Sequence, residues 1–488
     1  MTGFALDPAA EGWQDQIVAH LRGLILSGAL RPGSAVPSTR TLARDLGVAR
    51  QTVVLAYARL AAEGYLDGRP GSATRVSEVI PEDLPNREED QPTTVDRVQP
   101  STAIRLSARG AATAALAATA ARPGATILAP GIPALDAFPS RLWERLSAEV
   151  WRGRPAGLLG YAEPGGHRPL REAIVGYLGA MRGVACAAEQ VIVTSGSQQA
   201  IALAAHLLAD AGDAAWVEDP AYIAGRHALV SAGLRAVPVP VDAEGLEVER
   251  GAALEPRAQI ALVTPSHQYP AGAVMSLRCR LALLAWAERA GAWVIEDDYD
   301  GEFRYVGRPL QPLAALSERS QRVIYVGTFS KVLAPGLRLG YLVLPPGLVG
   351  AFTAARALAD RQPPGPEQAV LAEFIARGHL ARHVRAMRTL YRTRRDALTD
   401  AVTLHAGGLL DVAVPTCGLH AVGYLRDRAR SDTEIYDRVL RHGVQTPPLS
   451  AYYATREALR PGLLLGFAST PEDRIADAVR TLAALLQR

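Results

Sequence analysis

The chain contains a single lysine, Lys331, among 52 basic residues in a sequence of 488. All the other basic residues are arginines. A guanidinium group stays protonated and is a poor nucleophile, whereas the amine of lysine can lose its proton and condense with an aldehyde. A lysine kept in so arginine-rich a chain therefore indicates chemistry that arginine cannot perform. Chance survival at an ordinary surface position is the alternative.

The residues around Lys331 favour the chemical interpretation. The segment 327–331 (GTFSK) directly follows an apolar run that is typical of a buried strand. Lys331 is therefore predicted just past a strand end, where open α/β sheets bind their ligands. Ser330 and the nearby Arg338 offer a hydroxyl group and a planar guanidinium to a phosphate. An ordinary strand-to-helix loop is the alternative.

A second candidate phosphate site lies at residues 195–198 (SGSQ), between an apolar run and a helix predicted from about Gln199. The free backbone N–H groups and the dipole of a helix start favour phosphate binding. Gly196, Ser197 and Gln198 are the candidate contacts. A plain helix cap would give the same pattern.

An acidic run and an aromatic residue complete the candidate site. Asp297 lies in the acidic run 296–300 (EDDYD), at the end of an apolar strand pattern. A carboxylate there can pair with a protonated pyridine nitrogen, although acidic strand ends also bind metals. Tyr222 follows another strand pattern and can stack on a flat ring, or it can be a core tyrosine. Together, the four patterns indicate one cofactor site.

The elements that position these residues follow from hydrophobic periodicity. From about residue 125, short apolar runs alternate with helical patterns, which predicts a mostly parallel sheet covered by helices. The runs lie at 190–194, 214–219, 260–265, 292–297 and 322–327. From about Pro366 the sequence predicts long arginine-rich helices and then short strands near 419–423 and 463–467. This last part is interpreted as a smaller α+β subdomain.

The first 76 residues predict three helices followed by a tight hairpin, which is the pattern of a winged helix-turn-helix. The first helix is predicted over 11–27, the second from a cap at Ser38 through Leu46, and the third from Arg50 to about Glu63. Residues 77–124 are rich in Pro, Glu, Asp, Gln and Thr at first and then in alanine. They are predicted to be a mobile linker that includes a docking helix, and residues 125–488 to be the cofactor domain.

The predicted third helix carries the residues best suited to read DNA. Arg50, Gln51 and Thr52 begin it, and arginine suits guanine edges while glutamine suits adenine edges. The further candidate contacts are Ser38 and Arg40 at the start of the preceding helix and Arg69 and Gly71 at the tip of the wing. The alternative is a small protein-docking domain with a solvated arginine face.

Composition limits the other classes of function. The net charge of +3 is small for this length, so DNA binding must come from a local surface. The three cysteines lie far apart and the histidines are scattered, so we expect neither a disulfide framework nor a metal site. The N-terminus has no signal-peptide pattern, and the longest stretch of low polarity, 111–121, is too short to span a bilayer. A cytoplasmic protein is expected.

Four segments carry a resemblance to a known family. From about residue 125 the chain resembles fold-type I pyridoxal 5′-phosphate (PLP)-dependent aminotransferases. With the N-terminal domain included, it resembles the MocR/GabR family of GntR-type transcriptional regulators over nearly its full length. The segments most specific to this group are 32–66, 264–272, 295–303 and 325–341.

The resemblance implies roles for the candidate residues. Lys331 would bind PLP covalently, Asp297 would pair with the pyridine nitrogen, Tyr299 would lie near the phenolic oxygen and Tyr222 would stack on the ring. The phosphate contacts would be Gly196, Ser197, Gln198, Ser330 and Arg338. Tyr161 is similar to a tyrosine that reaches the phosphate of the neighbouring subunit in aminotransferases, so the resemblance also implies a homodimer.

Two departures from the family pattern bear on function. Tyr269 stands where many aminotransferases have asparagine, which disfavours efficient transamination. Ala224 and Ala451 stand near the positions of two arginines that grip the ligand carboxylate in the GABA-responsive branch, which disfavours GABA. The sequence therefore predicts a regulator that binds promoter DNA and senses PLP or a PLP–amine adduct, in vitamin B6 or amine metabolism. The alternative is a working aminotransferase.

Overall fold

The computed structural model describes residues 6–7, 12–68, 73–79, 106–117, 127–153, 156–307, 310–316, 321–455 and 459–487. The chain divides into two compact units, Met1–Ile104 and Arg105–Arg488. The division falls inside the segment 77–124 that the sequence predicts to be a linker, most of which lies outside the described residues.

The first unit contains three helices and a two-stranded antiparallel sheet. Its elements are α1 (Trp13–Leu26), α2 (Thr39–Leu46), α3 (Arg50–Ala62), β1 (Leu66–Asp67) and β2 (Arg75–Val76). The hydroxyl of Ser38 accepts a hydrogen bond from the backbone N–H of Thr41 and so caps α2, which ends at Gly47 in the left-handed conformation. These are the helices and the hairpin that the sequence predicts.

A small apolar core holds the first unit together. Ile17, Leu21 and Ile25 form one buried face of α1 and pack with Val53 and Leu60 of α3. The spacing of the α1 residues is that of a helix with a single apolar stripe. The outer faces of α2 and α3 are thereby left free to carry polar side chains.

The second unit is a large α/β structure. Its helices are α4 (Ala108–Ala117), α5 (Ser140–Arg152), α6 (Ala156–Leu159), α7 (Arg168–Arg182), α8 (Ser197–Leu208), α9 (Ile223–Ser231), α10 (Val248–Leu254), α11 (Leu277–Ala290), α12 (Leu313–Leu316), α13 (Val349–Asp360), α14 (Gly365–Ala376), α15 (His379–Ala406), α16 (Asp432–Leu440) and α17 (Glu472–Leu486). None of the described helices combines the length and apolar character that crossing a bilayer requires.

The central sheet has eight strands in the order β3-β10-β9-β8-β7-β4-β5-β6. The strands are β3 (Val191–Thr194), β4 (Ala214–Asp219), β5 (Arg235–Asp242), β6 (Gly245–Leu246), β7 (Ile260–Val263), β8 (Trp293–Asp298), β9 (Val323–Thr328) and β10 (Gly340–Val343). Strands β5, β4, β7, β8 and β9 pair in parallel, whereas β10 runs antiparallel to both β3 and β9. The five predicted strands are β3, β4, β7, β8 and β9.

Apolar helices cover both faces of the central sheet. On one face Ile201 of α8 and Leu229 of α9 pack against strand residues such as Ile295. On the other face Leu283 of α11 packs with Trp216 and other strand residues. Because neither face meets water, the strands consist of continuous apolar runs and not of alternating residues.

The C-terminal part forms the smaller α+β subdomain that the sequence predicts. Its antiparallel sheet consists of β11 (Leu410–Val412), β12 (His420–Leu425) and β13 (Gly462–Gly466). The 28-residue helix α15 packs against α17, and its buried residues Leu398 and Val402 share one core with Val479 and Leu482. The same core includes Val193, Tyr325 and Tyr341 of the central sheet, so the subdomain packs directly against that sheet.

Candidate functional site

A cavity of about 200 Å³ lies where β8 and β9 end and α8 begins. This is the edge of a parallel sheet at which ligands are expected to bind. The described residues that line it are Pro130, Gly131, Gly196, Ser197, Gln198, Tyr222, Thr264, Tyr269, Asp297, Tyr299, Thr328, Ser330, Lys331, Pro335 and Arg338. All the cofactor contacts suggested by the sequence are therefore brought together here except Tyr161.

Lys331 enters the cavity from the loop that follows β9. Its Nζ donates a hydrogen bond to the carbonyl oxygen of Gly131 at 2.7 Å. Burial lowers the pKa of the amine, while the negative charges of Asp297 and Asp300 oppose that shift. A lowered pKa increases the neutral fraction of the amine, which is the form that attacks a carbonyl carbon.

Asp297, near the end of β8, is 3 % exposed, and its Oδ1 has no hydrogen-bond partner among the described residues. Burial and the negative charge of Asp298 raise its pKa to about 7, against the opposing effect of Lys331. A buried carboxylate oxygen without a partner is costly. A cationic N–H donor placed in the cavity would relieve this cost, so the carboxylate fits a protonated ring nitrogen.

Gly196 and Arg338 meet at the other end of the cavity. Gly196 precedes α8 with φ of 117°, and a Cβ built there would lie 3.5 Å from a guanidinium nitrogen of Arg338. The first N–H groups of a helix have no partner within the helix, so the start of α8 offers donors to an anion. Together with the guanidinium, these donors fit a phosphate group.

Three tyrosines form the aromatic wall of the cavity. The ring of Tyr269 meets those of Tyr222 and Tyr299 edge to face, with centroids 5.9 Å apart in both pairs. Gln198 donates a hydrogen bond to the hydroxyl of Tyr222 at 3.3 Å. Burial raises the pKa of Tyr222 to about 12 and that of Tyr299 well above its usual value, so both hydroxyls stay protonated at neutral pH.

A histidine connects Tyr299 to a further buried acid. Nδ1 of His267 lies 3.0 Å from the Tyr299 hydroxyl and 2.9 Å from Oδ2 of Asp300. Gly418 makes room for this imidazole, since a Cβ at that position would lie 1.9 Å from Cε1 of His267. The contact fixes the orientation of His267 and, through it, of the Tyr299 hydroxyl.

Sequence reasoning missed several cavity residues that lie on distant loops. Pro130 and Gly131 precede α5, Thr264 follows β7, and Pro335 follows the lysine loop. Tyr269 was noted only as a departure from the aminotransferase pattern, yet it forms the centre of the aromatic wall. Pro130 and Gly131 carry no local motif, because long-range packing alone brings them to the site. Thr264, Tyr269 and Pro335 lie in the family-specific segments 264–272 and 325–341, but residue type alone did not give them a role in the cavity.

Tyr161 lies outside the cavity of its own chain. Its side chain is 82 % exposed, and the guanidinium of Arg361 lies 4.1 Å from its ring centroid. Its suggested contact belongs to a second subunit, so that role stays a prediction.

The first unit presents the predicted DNA-reading residues at the surface. Arg50 and Gln51 are exposed on the first turn of α3, and Thr52 is partly exposed beside them. Nε of Arg50 donates a long hydrogen bond of 3.4 Å to Thr39. The hydroxyl of Tyr57 donates to the carbonyl of Pro37 at 2.8 Å, which fixes α3 against the start of α2. The two helices are thus held as a rigid pair.

The other predicted DNA contacts divide into two groups. Ser38 and Arg40 are exposed at the start of α2. Arg69 and Gly71, at the predicted tip of the wing, lie outside the described residues. No metal-binding group occurs in the part of the chain that the structure describes, and the three cysteines are free.

Comparison with known proteins defines the class and then the family. The model of the aminotransferase class I and II family matches residues 137–482, and that of the bacterial regulatory proteins of the gntR family matches 13–76. The fold is thus a class I and II aminotransferase fold joined to a GntR-type DNA-binding head. The chain belongs to the MocR family of GntR-type transcriptional regulators, as the sequence predicts.

Two regulators are similar over almost their whole lengths. The probable rhizopine catabolism regulatory protein MocR of Rhizobium meliloti is 38 % identical over 96 % of this chain and 92 % of its own. The pyridoxine biosynthesis regulator PdxR of Corynebacterium glutamicum is 33 % identical over 94 % and 93 %. Among solved structures, the Pyrococcus horikoshii kynurenine aminotransferase is 29 % identical with a TM-score of 0.69, covering 79 % of this chain and 95 % of its own.

Proposed function

We propose that this regulator holds PLP on Lys331 and that its affinity for promoter DNA changes when PLP, or PLP carrying an amine, occupies the cavity. The observation that carries the proposal concerns two residues that line the same cavity: the only lysine of the chain, and Asp297, whose buried Oδ1 has no hydrogen-bond partner among the described residues. The proposed pathway is vitamin B6 or amine metabolism, in keeping with the names of the two similar regulators.

PLP is the cofactor of this fold. The Pyrococcus kynurenine aminotransferase was solved with its amine form, PMP, and the Thermus thermophilus aminotransferase LysN, 27 % identical with a TM-score of 0.69, with a phosphopyridoxyl-leucine. When bound, PLP supplies an aldehyde that reacts reversibly with primary amines. Asp297 would pair with the ring nitrogen and Tyr222 would stack on the ring, with Tyr299 near the phenolic oxygen.

The phosphate would be held at the start of α8. Its proposed contacts are Gly196, Ser197, Gln198, Ser330 and Arg338. Arg338 contributes the positive charge and the helix start contributes N–H donors. The carbonyl of Gly131 orients the amine of Lys331, and the lowered pKa of that amine favours its reactive neutral form.

Regulation requires that the two units influence one another. We propose that the protein is a cytoplasmic homodimer in which Tyr161 reaches the phosphate of the neighbouring subunit. Occupation of the cavity would shift the population of dimer conformations and with it the spacing of the two DNA-binding heads. By linkage, DNA must then change the affinity for the small molecule by the same factor.

Fluorescence anisotropy with a promoter fragment tests the proposal. The full-length protein is titrated against DNA without PLP, with PLP, and with PLP plus candidate amines. The expected change in DNA affinity is about fivefold or more, since coupling energies are typically 1–3 kcal/mol. The control is Lys331→Arg, which keeps the positive charge but cannot condense with an aldehyde, and which should lose the response. Equal DNA affinity under all of these conditions would refute sensing.

A working aminotransferase is the second candidate, because Lys331 and Asp297 both line the cavity. Tyr269, in the place where many aminotransferases have asparagine, argues against efficient turnover. Steady-state conversion of an amino acid and a keto acid at ordinary enzyme rates, on the order of 1–1000 per second, would favour this candidate. A single slow half-reaction would be compatible with either function.

A further inference from the structure

The cavity offers little positive charge beyond what the proposed cofactor uses. Among the described residues that line it, the basic ones are Lys331 and Arg338. Nζ of Lys331 faces the carbonyl of Gly131, and Arg338 lies against Gly196 at the phosphate end. In the proposed function the amine of Lys331 condenses with the aldehyde, and the guanidinium of Arg338 binds the phosphate. Neither of them is left to pair with a carboxylate on the amine.

The wall next to Lys331 is aromatic and uncharged. The partly buried ring of Tyr269 packs against Tyr222, Tyr299, Tyr452 and His420, with centroids 5.3 to 5.9 Å apart. Burial lowers the pKa of His420 to about 3, so its imidazole is neutral at physiological pH. This wall therefore supplies phenol hydroxyls and ring faces but no cation.

Behind the aromatic wall lies an apolar layer. Val422, Leu449 and Leu464 are buried and pack with Tyr452 in one group. In this direction a carboxylate would meet hydrocarbon. Arg226 does not line the cavity; it lies with Tyr222, Thr264 and Glu218 around a small adjoining pocket. Loss of solvation without a partner disfavours a charged group strongly.

The buried ionisable groups near the cavity are mainly acids, and burial raises the pKa of one of them, Glu218, to about 7. Asp300 forms a hydrogen bond with the imidazole of His267. Glu218 accepts hydrogen bonds from Thr264 and Gln268, which are both uncharged. The negative charges of both Asp300 and Glu218 raise the pKa of Asp297. A further carboxylate would be repelled by these acids, whereas an amine would be attracted.

The hydroxyl of Tyr269 in the wall and that of Tyr452 behind it form a pair that suits an uncharged polar substituent. The hydroxyl oxygens of Tyr269 and Tyr452 lie 3.3 Å apart. A phenol can donate one hydrogen bond and also accept, so this pair can bond to a ligand hydroxyl.

We propose that the site selects primary amines without a carboxylate, in particular amino alcohols, over amino acids with the same carbon skeleton. This inference rests on the proposed function, since it names the kind of amine that the PLP-loaded site would sense. It rests on the lack of a cation in the described wall, on the apolar layer behind it and on the acids nearby.

Matched ligand pairs test the inference on the full-length protein. PLP loading is measured first, from the visible absorption of the bound cofactor and from the mass of the Lys331 peptide after borohydride treatment. Ethanolamine is then compared with glycine, and alaninol with alanine, by titration of the cofactor absorbance and by calorimetry. The dissociation constant of each amino alcohol should be at least about tenfold lower than that of its amino acid, which corresponds to a difference in binding free energy of about 1.4 kcal/mol.

The outcomes separate the two proposals. A protein that does not bind PLP refutes the proposed function and with it this inference. A PLP-loaded protein that binds glycine or alanine as tightly as its amino alcohol refutes this inference alone.

A variant tests whether the lack of a cation causes the preference for amino alcohols. Tyr452→Arg places a guanidinium behind Tyr269 and should move the preference toward the amino acids by about tenfold or more. Tyr452→Phe removes only the hydroxyl, so it should weaken amino alcohol binding while the amino acids remain poor ligands. A folded Tyr452→Arg protein with unchanged preference would contradict the inference. If that variant does not fold, the ligand pairs on the unaltered protein decide.

Discussion

Lys331 and Gly131 meet across 200 residues of sequence, where Nζ of the lysine donates a 2.7 Å hydrogen bond to the glycine carbonyl. Gly131 has φ of 72°, which is the left-handed region that side chains with a Cβ rarely adopt. The loop before α5 therefore closes over the lysine in a conformation that depends on glycine. Its carbonyl holds the reactive amine in place.

Gly131→Ala should weaken both the fold of this loop and the binding of PLP. The left-handed conformation costs a residue with a Cβ about 1–2 kcal/mol, and the new Cβ would lie 3.4 Å from Nζ of Lys331. Urea denaturation and PLP titration measure the two effects. The control is Gly176→Ala on α7, whose Cβ meets nothing within 4 Å and which should be neutral or slightly stabilising. Unchanged PLP affinity in Gly131→Ala would contradict the role given to this loop.

Asp297 should make the PLP-free protein less stable as the pH rises. Burial raises its pKa from 3.8 to about 7, so the folded state binds its proton more tightly than the unfolded state does. The stability from this group is present in full below about pH 4 and is lost as the pH rises through about 7. Asp297→Asn should therefore gain stability relative to the unaltered protein between about pH 5 and about pH 8, by a few kcal/mol at most. Denaturant unfolding of both proteins at the two pH values tests this prediction. If the difference between their free energies of unfolding stays constant or shrinks as the pH rises, the prediction is wrong.

The central-sheet strands that the sequence predicted are buried on both faces. β4, β7, β8 and β9 are continuous apolar runs because helices cover the sheet on either side. β5 was not predicted, because Pro238 and Pro240 interrupt its pattern and proline cannot donate to a sheet. It pairs in parallel only with β4, near the edge of the sheet, where missing donors are tolerated. Burial alone was not sufficient, because β10 was not predicted although all four of its residues are buried; so short an apolar run gives too little periodicity to identify a strand.

The cavity residues that could be predicted are those whose residue type and position in a local pattern indicate a function. Those brought to the cavity by long-range packing could not be predicted. Lys331 and Asp297 stand out by residue type at strand ends, so their convergence follows from the parallel sheet. Gly131 has no signal of its own, because its importance comes from a backbone angle and from a lysine far along the chain. The contacts of Tyr269 with His420 and Tyr452 likewise exist only after the C-terminal subdomain packs beside the strand ends.

Arg50→Ala should lower the affinity for promoter DNA by about tenfold or more. The side chain is exposed on the first turn of α3, and among the described residues its only hydrogen bond is that of 3.4 Å to Thr39. Arginine contacts to a base edge are worth about 1–3 kcal/mol. Anisotropy at several salt concentrations measures the effect and tells a base contact from a phosphate contact, since loss of a phosphate contact reduces the salt dependence.

Arg59→Ala is the matched control for Arg50, because it removes the same kind of side chain from the same helix. Arg59 is paired with Glu63 and Asp15, at the end of α3 remote from Arg50 in sequence. Such exposed ion pairs contribute little to stability. DNA affinity should stay within about twofold, as expected for a surface change away from the interface. Equal losses in the two variants would mean that α3 does not enter DNA with its first turn.

Gly418→Ala should disrupt the site through His267 and not through any direct contact with a ligand. Gly418 has φ of 83°, and a Cβ there would overlap the imidazole, at 1.9 Å from Cε1. His267 would have to move away from Asp300 and from Tyr299, so that a buried acid would lose its partner. Loss of a partner for a buried charge is strongly destabilising, and the expected result is a lower melting temperature together with weaker PLP binding. Gly443→Ala is the control for backbone strain alone, because Gly443 has φ of 77° and a Cβ there meets nothing within 4 Å. A Gly418→Ala protein with unchanged PLP affinity would imply that the orientation of His267 does not matter to the site, and that Tyr299 holds its position without it.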